Sequence, residues 1–209
     1  MTLTLYYFPN TAARAVHIAL EEAGAQFEPV LVDFRTNAQR SPEHLARHPS
    51  GRVPALGTPQ GVLFETPAIL GYLAAIFPGA GLLPADPFRA AQAMAVSCWL
   101  ASTMHVAHAH GRRAARWADD PAAQEAMRAK MPANMADCAT QVQGMMQGRW
   151  VLGEEWSVAD AHLFTVAGWL EADGLDIADW PRLAAHRALM LERPAVQRAL
   201  AREEAALAA

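Results

Sequence analysis

The residues from Tyr6 to Thr11, in the stretch YYFPNTAAR, place two phenols, an amide and a hydroxyl in one short segment. Tyr7, Asn10 and Thr11 carry O–H or N–H groups that can donate hydrogen bonds to an anion. The same residue types also have structural uses, because Asn tolerates a left-handed turn and Thr caps helices. The segment is therefore predicted either to present hydrogen-bond donors or only to connect a strand to a helix.

A second candidate site is the segment from Glu65 to Pro67, where a predicted strand ends and a predicted helix begins. Thr66 is predicted to be the N-cap and Pro67 the first helical residue, a position where a missing N–H costs little. The unpaired amides and the dipole of a helix N-terminus favour an anion. The segment is predicted to bind one, and a helix cap without a ligand is the alternative.

Three histidines lie close together in the segment HVAHAHGRR, at positions 105, 108 and 110. On a helix, His105 and His108 share a face, whereas His110 lies about 140° further round. No acidic or cysteine residue stands nearby in the sequence to complete a ligand set. The cluster therefore predicts no metal site. The arginines at 112, 113 and 116 are interpreted as a solvated helix face.

The composition is that of a folded protein without a strong charge bias. The chain has 209 residues, of which 53% are hydrophobic and 18% charged, and its net charge is −4. These values exclude a disordered chain and give no reason to expect nucleic acid as a partner. No membrane span or signal peptide is expected, so the predicted location is cytoplasmic. Cys98 and Cys138 are expected to be free, buried thiols.

The two parts of the chain differ in their predicted elements. Residues 1–79 alternate strands and helices, with strands at TLTLYYF and FEPVLVDF and a hairpin formed by PALGT and VLFE. Residues 80–87 contain Gly and Pro and are predicted to be a linker. The rest, 88–209, shows only helical patterns, at about 88–118, 121–148, 157–172, 181–191 and 194–206. We expect an α/β domain followed by an all-α domain.

Ser157 and Asp160 have the S-x-x-D spacing of a capping box ahead of an apolar run. In such a box the two side chains satisfy backbone N–H groups that the first turn of a helix leaves unpaired. We assign the pair to folding and not to chemistry, and expect loss of the cap to cost about 1 kcal/mol or more.

Three segments resemble motifs of the glutathione S-transferase family. HPSGRVPAL, from His48 to Leu56, is similar to NPxGxVPAL, and FETPAILGYL, from Phe64 to Leu73, is similar to xESxAIxxYL. VLGEEWSVADAHLFTV, over residues 151–166, resembles the C-terminal folding motif of the family. The resemblance covers essentially the whole chain, and the C-terminal part is most like bacterial beta-type members. It implies a thioredoxin-like N-terminal domain, a helical C-terminal domain, a homodimer, and glutathione as cosubstrate without a metal.

The resemblance also implies which residues bind glutathione. The Val53–Pro54 peptide bond would be cis and would present the backbone of Val53 to the cysteinyl part of glutathione. The helix start at Thr66 would bind the γ-glutamyl carboxylate, and Glu65 would bind the ammonium group beside it. Further contacts, to the glycyl carboxylate and in the cleft between the domains, are implied for Arg35, Arg52 and His105.

The turn departs from the beta-type pattern, because the cysteine of those members aligns with Ala12. A free thiol has a pKa of about 8.5, and lowering it by two units needs about 2.7 kcal/mol of preferential thiolate stabilisation. One or two hydrogen bonds to the charged sulfur supply that amount. Different alignments with family members place Asn10, Tyr7 or Thr11 at the donor position, and Asn10 ranks first. Tyr6, on the opposite face of the strand, is expected to lie in the core.

The resemblance therefore implies an enzyme, a glutathione transferase whose bound thiolate attacks a small apolar electrophile between the domains. The alternatives are a glutathione-dependent disulfide reductase, similar to nu-type members, and a glutathione-binding protein without turnover. Candidates for the lining of the electrophile pocket, although such residues more often form a core, are Met94, Trp99, Met104 and Trp117.

Overall fold

The first part of the chain folds into a mixed sheet with helices. The computed structural model describes residues 2–208. The elements of the first part are β1 (Leu3–Tyr7), α1 (Ala13–Glu22), β2 (Phe27–Leu31), α2 (Pro42–Arg47), β3 (Ala55–Thr58), β4 (Gly61–Phe64) and α3 (Thr66–Ile76). The strand order is β2-β1-β3-β4, in which β1 runs parallel to β2 and antiparallel to β3, and β3 and β4 form a hairpin. This is the β-α-β-α-β-β-α order that the sequence predicts.

The second part of the chain is helical. Its elements are α4 (Pro87–Trp99), α5 (His105–Arg112), α6 (Pro121–Met145), α7 (Val158–Ala167), α8 (Pro181–Leu191) and α9 (Pro194–Ala208). A π-helical segment, Leu100–Met104, joins α4 to α5 without a break. The predicted helix over 88–118 therefore ends early, at Arg112, and the one over 157–172 ends at Ala167. Within the described residues, no helix combines the length and the apolar character needed to cross a membrane.

Side chains of β1 alternate between the buried face of the sheet and its other face. Leu3, Leu5 and Tyr7 are buried, with Tyr7 4% exposed, whereas Tyr6 is only partly buried. The Arg47 guanidinium lies 4.5 Å from the ring centroid of Tyr6. The expectation that Tyr6 lies in the core is met only in part: Tyr6 packs half-buried against the core of the sheet domain, whereas Tyr7, which shares the parity of the two leucines, is the buried phenol.

Helix α1 lies between the two parts of the chain. Its residues include a run with little side-chain bulk, Ala13, Ala15 and Ala19, which are all fully buried. Small side chains allow close approach, and α1 contacts α3 on one side and α7 and α9 on the other. The helix thus belongs to the sheet domain but forms much of its contact with the helical domain.

The capping box predicted at the start of α7 is present. Asp160 is fully buried and accepts hydrogen bonds from the N–H of Ser157, at 2.8 Å, and from the N–H of Val151, at 2.7 Å. The Nε2 atom of His186, on α8, lies 3.1 Å from the same carboxylate. The side chain therefore caps α7 and also joins the preceding loop and α8 to it.

The two cysteines are both free, but their exposure differs. Cys138 is buried in α6, as expected, whereas Cys98 is exposed on α4. The expectation of a buried thiol is wrong for Cys98, because on α4 the neighbouring Ser97 occupies the position that faces the interior.

We predict that Asp160→Ala lowers the free energy of unfolding by about 3–5 kcal/mol, because three donors then lose a buried charged acceptor. Urea unfolding followed by circular dichroism measures the change. Asp137→Ala, at an exposed position on α6, is the matched control and is expected to change the value by about 0.5 kcal/mol or less. Equal, small effects of the two substitutions would contradict the structural role of Asp160.

Candidate active site

A cleft of about 590 Å³ lies between the two domains. The sheet domain contributes the turn after β1 and the segment before β3, and the helical domain contributes α5 and the residues after α7. The lining includes Asn10, Thr11, Ala12, Phe34, Arg40, Arg52, Val53, His105, His108, Arg112, Arg113, Arg116 and Trp169. We call this the interdomain cleft.

A smaller cavity of about 70 Å³ adjoins the interdomain cleft and shares four lining residues with it, Ala12, Arg52, Val53 and His105. Its other lining residues come from the three motif segments, except Ala101, and two of them are buried histidines. These residues are His48, Pro54, Glu65, Thr66, Ala101 and His162. The two cavities therefore bring together the turn after β1 and both N-terminal motifs.

Asn10 occupies the left-handed region of the backbone map, with φ 55°, a conformation that Asn tolerates better than most residues. Its N–H donates to Glu203 Oε2 at 3.0 Å, and its carbonyl accepts from the indole of Trp169 at 3.2 Å. Both backbone groups are thus held by the helical domain. The side chain is exposed to the cleft and makes no hydrogen bond within residues 2–208, so its amide is available as a donor.

Thr11 and Tyr7 are less available as donors than Asn10. The Thr11 hydroxyl donates to the carbonyl oxygen of Phe8 at 2.6 Å and accepts from the N–H of Ala13 at 3.3 Å, which is the helix-capping role. Tyr7 is buried and does not line either cavity. Burial and the nearby charge of Glu203 raise the pKa of the Tyr7 phenol, so it stays protonated at neutral pH. Of the three candidates, only Asn10 both lines the cleft and has a side chain that makes no hydrogen bond within residues 2–208.

The Val53–Pro54 peptide bond is cis, as the resemblance implies. The motif residue Gly51 has φ 59°, and a Cβ atom there would lie 2.7 Å from the carbonyl oxygen of Gln39. Glycine is therefore required at this position both by its conformation and by the close approach. The HPSGRVPAL motif places the backbone of Arg52 and Val53 at the edge of the cleft.

Helix α3 begins at Thr66, and Glu65 is its N-cap. The prediction that Thr66 is the N-cap is wrong by one residue. Glu65 has φ 70° and ψ 117°, a conformation that costs a non-glycine residue about 1–3 kcal/mol. The exposed Glu65 carboxylate and the buried Thr66 both line the smaller cavity. A negative charge thus stands directly beside the amides of a helix N-terminus.

His105 lines both cavities, and its imidazole lies edge-on to the Trp169 ring at a centroid distance of 4.9 Å. Burial, with smaller effects from the positive charges of its neighbours, lowers the pKa of His105 from 6.5 to about 4. The imidazole is therefore neutral at pH 7 and can donate one hydrogen bond into the cleft.

The other two histidines of the cluster have separate partners. The Nδ1 atom of His108 lies 2.7 Å from the buried Asp173 carboxylate, and its ring stacks on Trp169. The ring of His110 packs against Trp117. Among residues 2–208, no three His, Cys, Asp or Glu side chains are arranged as a metal site.

The structure does not bring every predicted residue to the cleft. Arg35 is 55% exposed, pairs with Asp33 at 3.0 Å, and is absent from the lining, where Arg40 stands instead. The suggested pocket residues are also absent from the lining: Met104 is fully buried, and Trp117 is 45% exposed elsewhere on the surface. The same holds for Met94 and Trp99.

Several lining residues were missed because they come from distant parts of the sequence. Phe34, Arg40 and Trp169 belong to segments without a motif. The arginines after His108 are solvent-exposed, as expected, but they face the cleft. A signal was present: positions 105, 108 and 112 follow the spacing of one helix face, so a face that carries His105 into the cleft also carries Arg112.

Family models agree with this geometry. Residues 1–75 match the N-terminal domain of glutathione S-transferases, and residues 103–194 match their C-terminal domain. The chain belongs to the glutathione S-transferase family. The cis bond, the Glu65 N-cap and the cleft are thus features of a glutathione transferase fold, with a thioredoxin-like domain followed by a helical one.

Relatives and solved structures match over nearly the whole glutathione transferase fold. The chain is 30% identical over 205 residues to a glutathione S-transferase, GstA, of Escherichia coli O157:H7, covering 96% of this chain and 98% of the relative. It is 29% identical to a maleylacetoacetate isomerase of Pseudomonas aeruginosa, with 91% and 95% covered. A glutathione transferase homologue from Sulfitobacter, solved with bound glutathione, superposes with a TM-score of 0.92 at 47% identity, over 94% of this chain and 96% of that one.

We predict that the free energy of unfolding falls as the pH drops below about 6.5. Burial lowers the pKa of His162 to about 3 and that of His105 to about 4, whereas both recover the ordinary value of 6.5 on unfolding. At pH values between the native and the unfolded pKa, the unfolded chain binds more protons than the native state. Each histidine therefore lowers the free energy of unfolding by up to about 1.4 kcal/mol for each unit by which the pH falls.

Urea unfolding at pH 7.5 and at pH 5 measures this dependence. Nδ1 of His162 lies 2.7 Å from Ser97 Oγ, and His162→Gln keeps a polar group at this position. The substitution is expected to make the free energy of unfolding depend less steeply on pH. An identical slope in the variant would contradict the assignment of this acid sensitivity to the buried imidazole.

Proposed function

We propose that this family member is a glutathione transferase that binds glutathione along the sheet domain and transfers its thiolate to an electrophile in the interdomain cleft. The observation that carries the proposal is the position of the Asn10 side chain. Asn10 lines the interdomain cleft together with Val53, its side-chain amide makes no hydrogen bond within residues 2–208, and the smaller cavity that holds Glu65 and Thr66 adjoins this cleft.

The proposed pose of glutathione uses each charged group of the tripeptide. The γ-glutamyl carboxylate lies at the N-terminus of α3, beside Thr66, and the ammonium group pairs with Glu65. The cysteinyl backbone pairs with the backbone of Val53 as an added strand. The glycyl carboxylate lies near Arg52, which lines both cavities. Arg40 replaces Arg35 as the additional cation near this end, since Arg35 is paired with Asp33.

In this pose the sulfur lies at the turn, where Asn10 donates to the thiolate. A hydrogen bond to a charged acceptor contributes about 1.5–3 kcal/mol, which matches the roughly 2.7 kcal/mol that a two-unit decrease in the thiol pKa requires. The neutral imidazole of His105 is a second donor within the same cleft. Neither residue has to accept a proton, because the lowered pKa alone populates the thiolate at neutral pH.

The electrophile is proposed to have a small apolar body. The walls next to the turn include the rings of Phe34 and Trp169 and the methyl groups of Ala12 and Ala109. These flat and small side chains suit a planar substrate. A homodimer in the cytoplasm, as the resemblance implies, belongs to the same proposal, and the exposed Phe88 on α4 supports an interface, since it is 72% exposed.

We predict that Asn10→Ala lowers kcat/KM with 1-chloro-2,4-dinitrobenzene by about 10–100-fold, because the thiolate loses its hydrogen bond. The pKa of bound glutathione, titrated through the ultraviolet absorbance of the thiolate, should rise in parallel. Thr11→Val is expected to act mainly on stability, because its hydroxyl is bonded to Phe8. If Tyr7→Phe abolished activity while Asn10→Ala left it intact, Tyr7 would be the donor instead.

An assay of the same protein with a hydroxyethyl disulfide distinguishes the transferase from the two alternative functions. Turnover of the disulfide without aryl conjugation would support a glutathione-dependent disulfide reductase. Glutathione binding without either reaction would support a binding protein.

We predict that Glu65→Gln raises the KM for glutathione by about tenfold and changes kcat little, because the carboxylate contacts the ammonium group and not the sulfur. Titration calorimetry with glutathione should show the same loss of affinity. Glu28→Gln, at an exposed position on β2, is the matched control. An unchanged KM in the Glu65 variant would place the γ-glutamyl group elsewhere.

A further inference from the structure

The lining of the interdomain cleft has a net positive charge, in contrast to the chain as a whole. Five arginines line the cleft, and no Asp or Glu of the described residues is part of that lining. The chain as a whole has a net charge of −4. The positive charge of the cleft is therefore local and does not reflect a generally basic protein surface. The five are Arg40, Arg52, Arg112, Arg113 and Arg116.

One of the five arginines is neutralised within the protein. The Nε atom of Arg112 lies 3.3 Å from Oδ1 of the buried Asp173, whose other oxygen lies 2.7 Å from His108. This carboxylate is therefore shared by two groups of α5 and holds them in place. It leaves the remaining four guanidinium groups without a counter-charge.

The remaining four arginines form no ion pair within residues 2–208. Arg113 makes only a hydrogen bond from Nη1 to the carbonyl of Arg112, at 3.2 Å, and Arg40 only a long one to Ser50, at 3.5 Å. Partial desolvation, followed by the charges of Arg52, Arg113 and Arg40, lowers the pKa of the Arg116 guanidinium. The four groups thus line one cleft, and the charges of the other three act on Arg116 as repulsion.

Glutathione, bound as proposed above, does not use all of these charges. Its γ-glutamyl carboxylate lies at α3, where there is no arginine, and its glycyl carboxylate pairs with Arg52 and Arg40 on the sheet domain. Arg113 and Arg116, on the helical domain, are left beside the space for the second substrate. Guanidinium groups bind carboxylates in a planar, two-pronged geometry.

We propose that the second substrate is an electrophile that carries a carboxylate, bound by Arg113 and Arg116, with its apolar body against Trp169. This inference rests on the proposed transferase function and refines its substrate class. The two arginines are binding residues that select the substrate by charge, whereas Asn10 acts on the sulfur. An anionic substrate also relieves the repulsion among the four unpaired guanidinium groups.

Two aryl chlorides that differ only in charge test the inference: 4-chloro-3,5-dinitrobenzoate and 4-chloro-3,5-dinitrobenzamide. In both, the glutathione sulfur forms a bond to the ring carbon that carries chlorine. The C–Cl bond then breaks, and chloride leaves with the electron pair. Each kcat/KM is divided by the uncatalysed rate constant, because the amide activates the ring more strongly than the carboxylate does.

The wild-type enzyme is expected to prefer the carboxylate by about tenfold or more on this corrected scale. Arg116→Met and Arg113→Met, which keep the apolar stem and remove the charge, should each reduce the preference several-fold. Arg128→Met, at a partly exposed arginine of α6 outside the cleft, should leave the preference unchanged. Equal use of both substrates by the wild type, or a preference that the cleft variants leave intact, would overturn the inference.

A binding measurement separates this inference from the proposed function. Titration calorimetry compares S-(4-carboxybenzyl)glutathione with S-(4-carbamoylbenzyl)glutathione, neither of which needs turnover. Tighter binding of the carboxylate form by about tenfold, reduced in Arg116→Met, supports the inference even if neither chloride is converted. Equal affinities would overturn it, whereas absence of turnover with charge-selective binding would overturn only the transferase proposal.

Discussion

The geometry of the cleft depends on one buried carboxylate, that of Glu203. It is 3% exposed and accepts hydrogen bonds from the N–H of Asn10 and from the guanidinium of Arg14, whose Nη2 lies 2.7 Å away. Helix α9 is thereby tied both to α1 and to the turn before it. Removing one member of a buried pair leaves an uncompensated charge, so such a contact strongly favours one arrangement of its partners. Further ion pairs along the same interface join Glu21 to Arg198 and Glu22 to Arg193, each at 2.6 Å.

The helical domain holds the turn from a second direction through Trp169. Its indole donates to the carbonyl of Asn10, and its ring contacts His105 and His108 on α5. The position of the Asn10 side chain is therefore coupled by direct contacts to the helix that carries the arginines. Because both backbone groups of Asn10 are already bonded, its conformation does not have to change when a ligand arrives. The backbone of Asn10 is thus held by the second domain and not by its own strand.

The sequence could predict the sheet domain and the structure of the motif segments because their determinants are local. Gly51 is needed for its own φ and for one close contact, and Asp160 caps the helix on which it lies. The second wall of the cleft has no local determinant, since Arg116 and Trp169 come from segments that follow α5 and α7 and line one cleft only in the folded chain. Tyr6 and Tyr7 show the same limit: both fit a strand, and only the parity shared with Leu5 decides which one is buried.

If the chain binds glutathione as proposed, the charge of the cleft compensates for Ala12, the alanine that stands where beta-type members have a cysteine. A unit charge about 10 Å from an anion contributes about 1–2 kcal/mol at the effective dielectric of a partly buried site. In the proposed complex, several unpaired guanidinium groups around one cleft would therefore lower the pKa of the bound thiol without contacting the sulfur. Asn10 has only to orient the thiolate and to add one hydrogen bond. The arginines that favour a carboxylate on the electrophile thus also favour the nucleophile, and the absence of a thiol at Ala12 leaves the site without a group that could itself be oxidised.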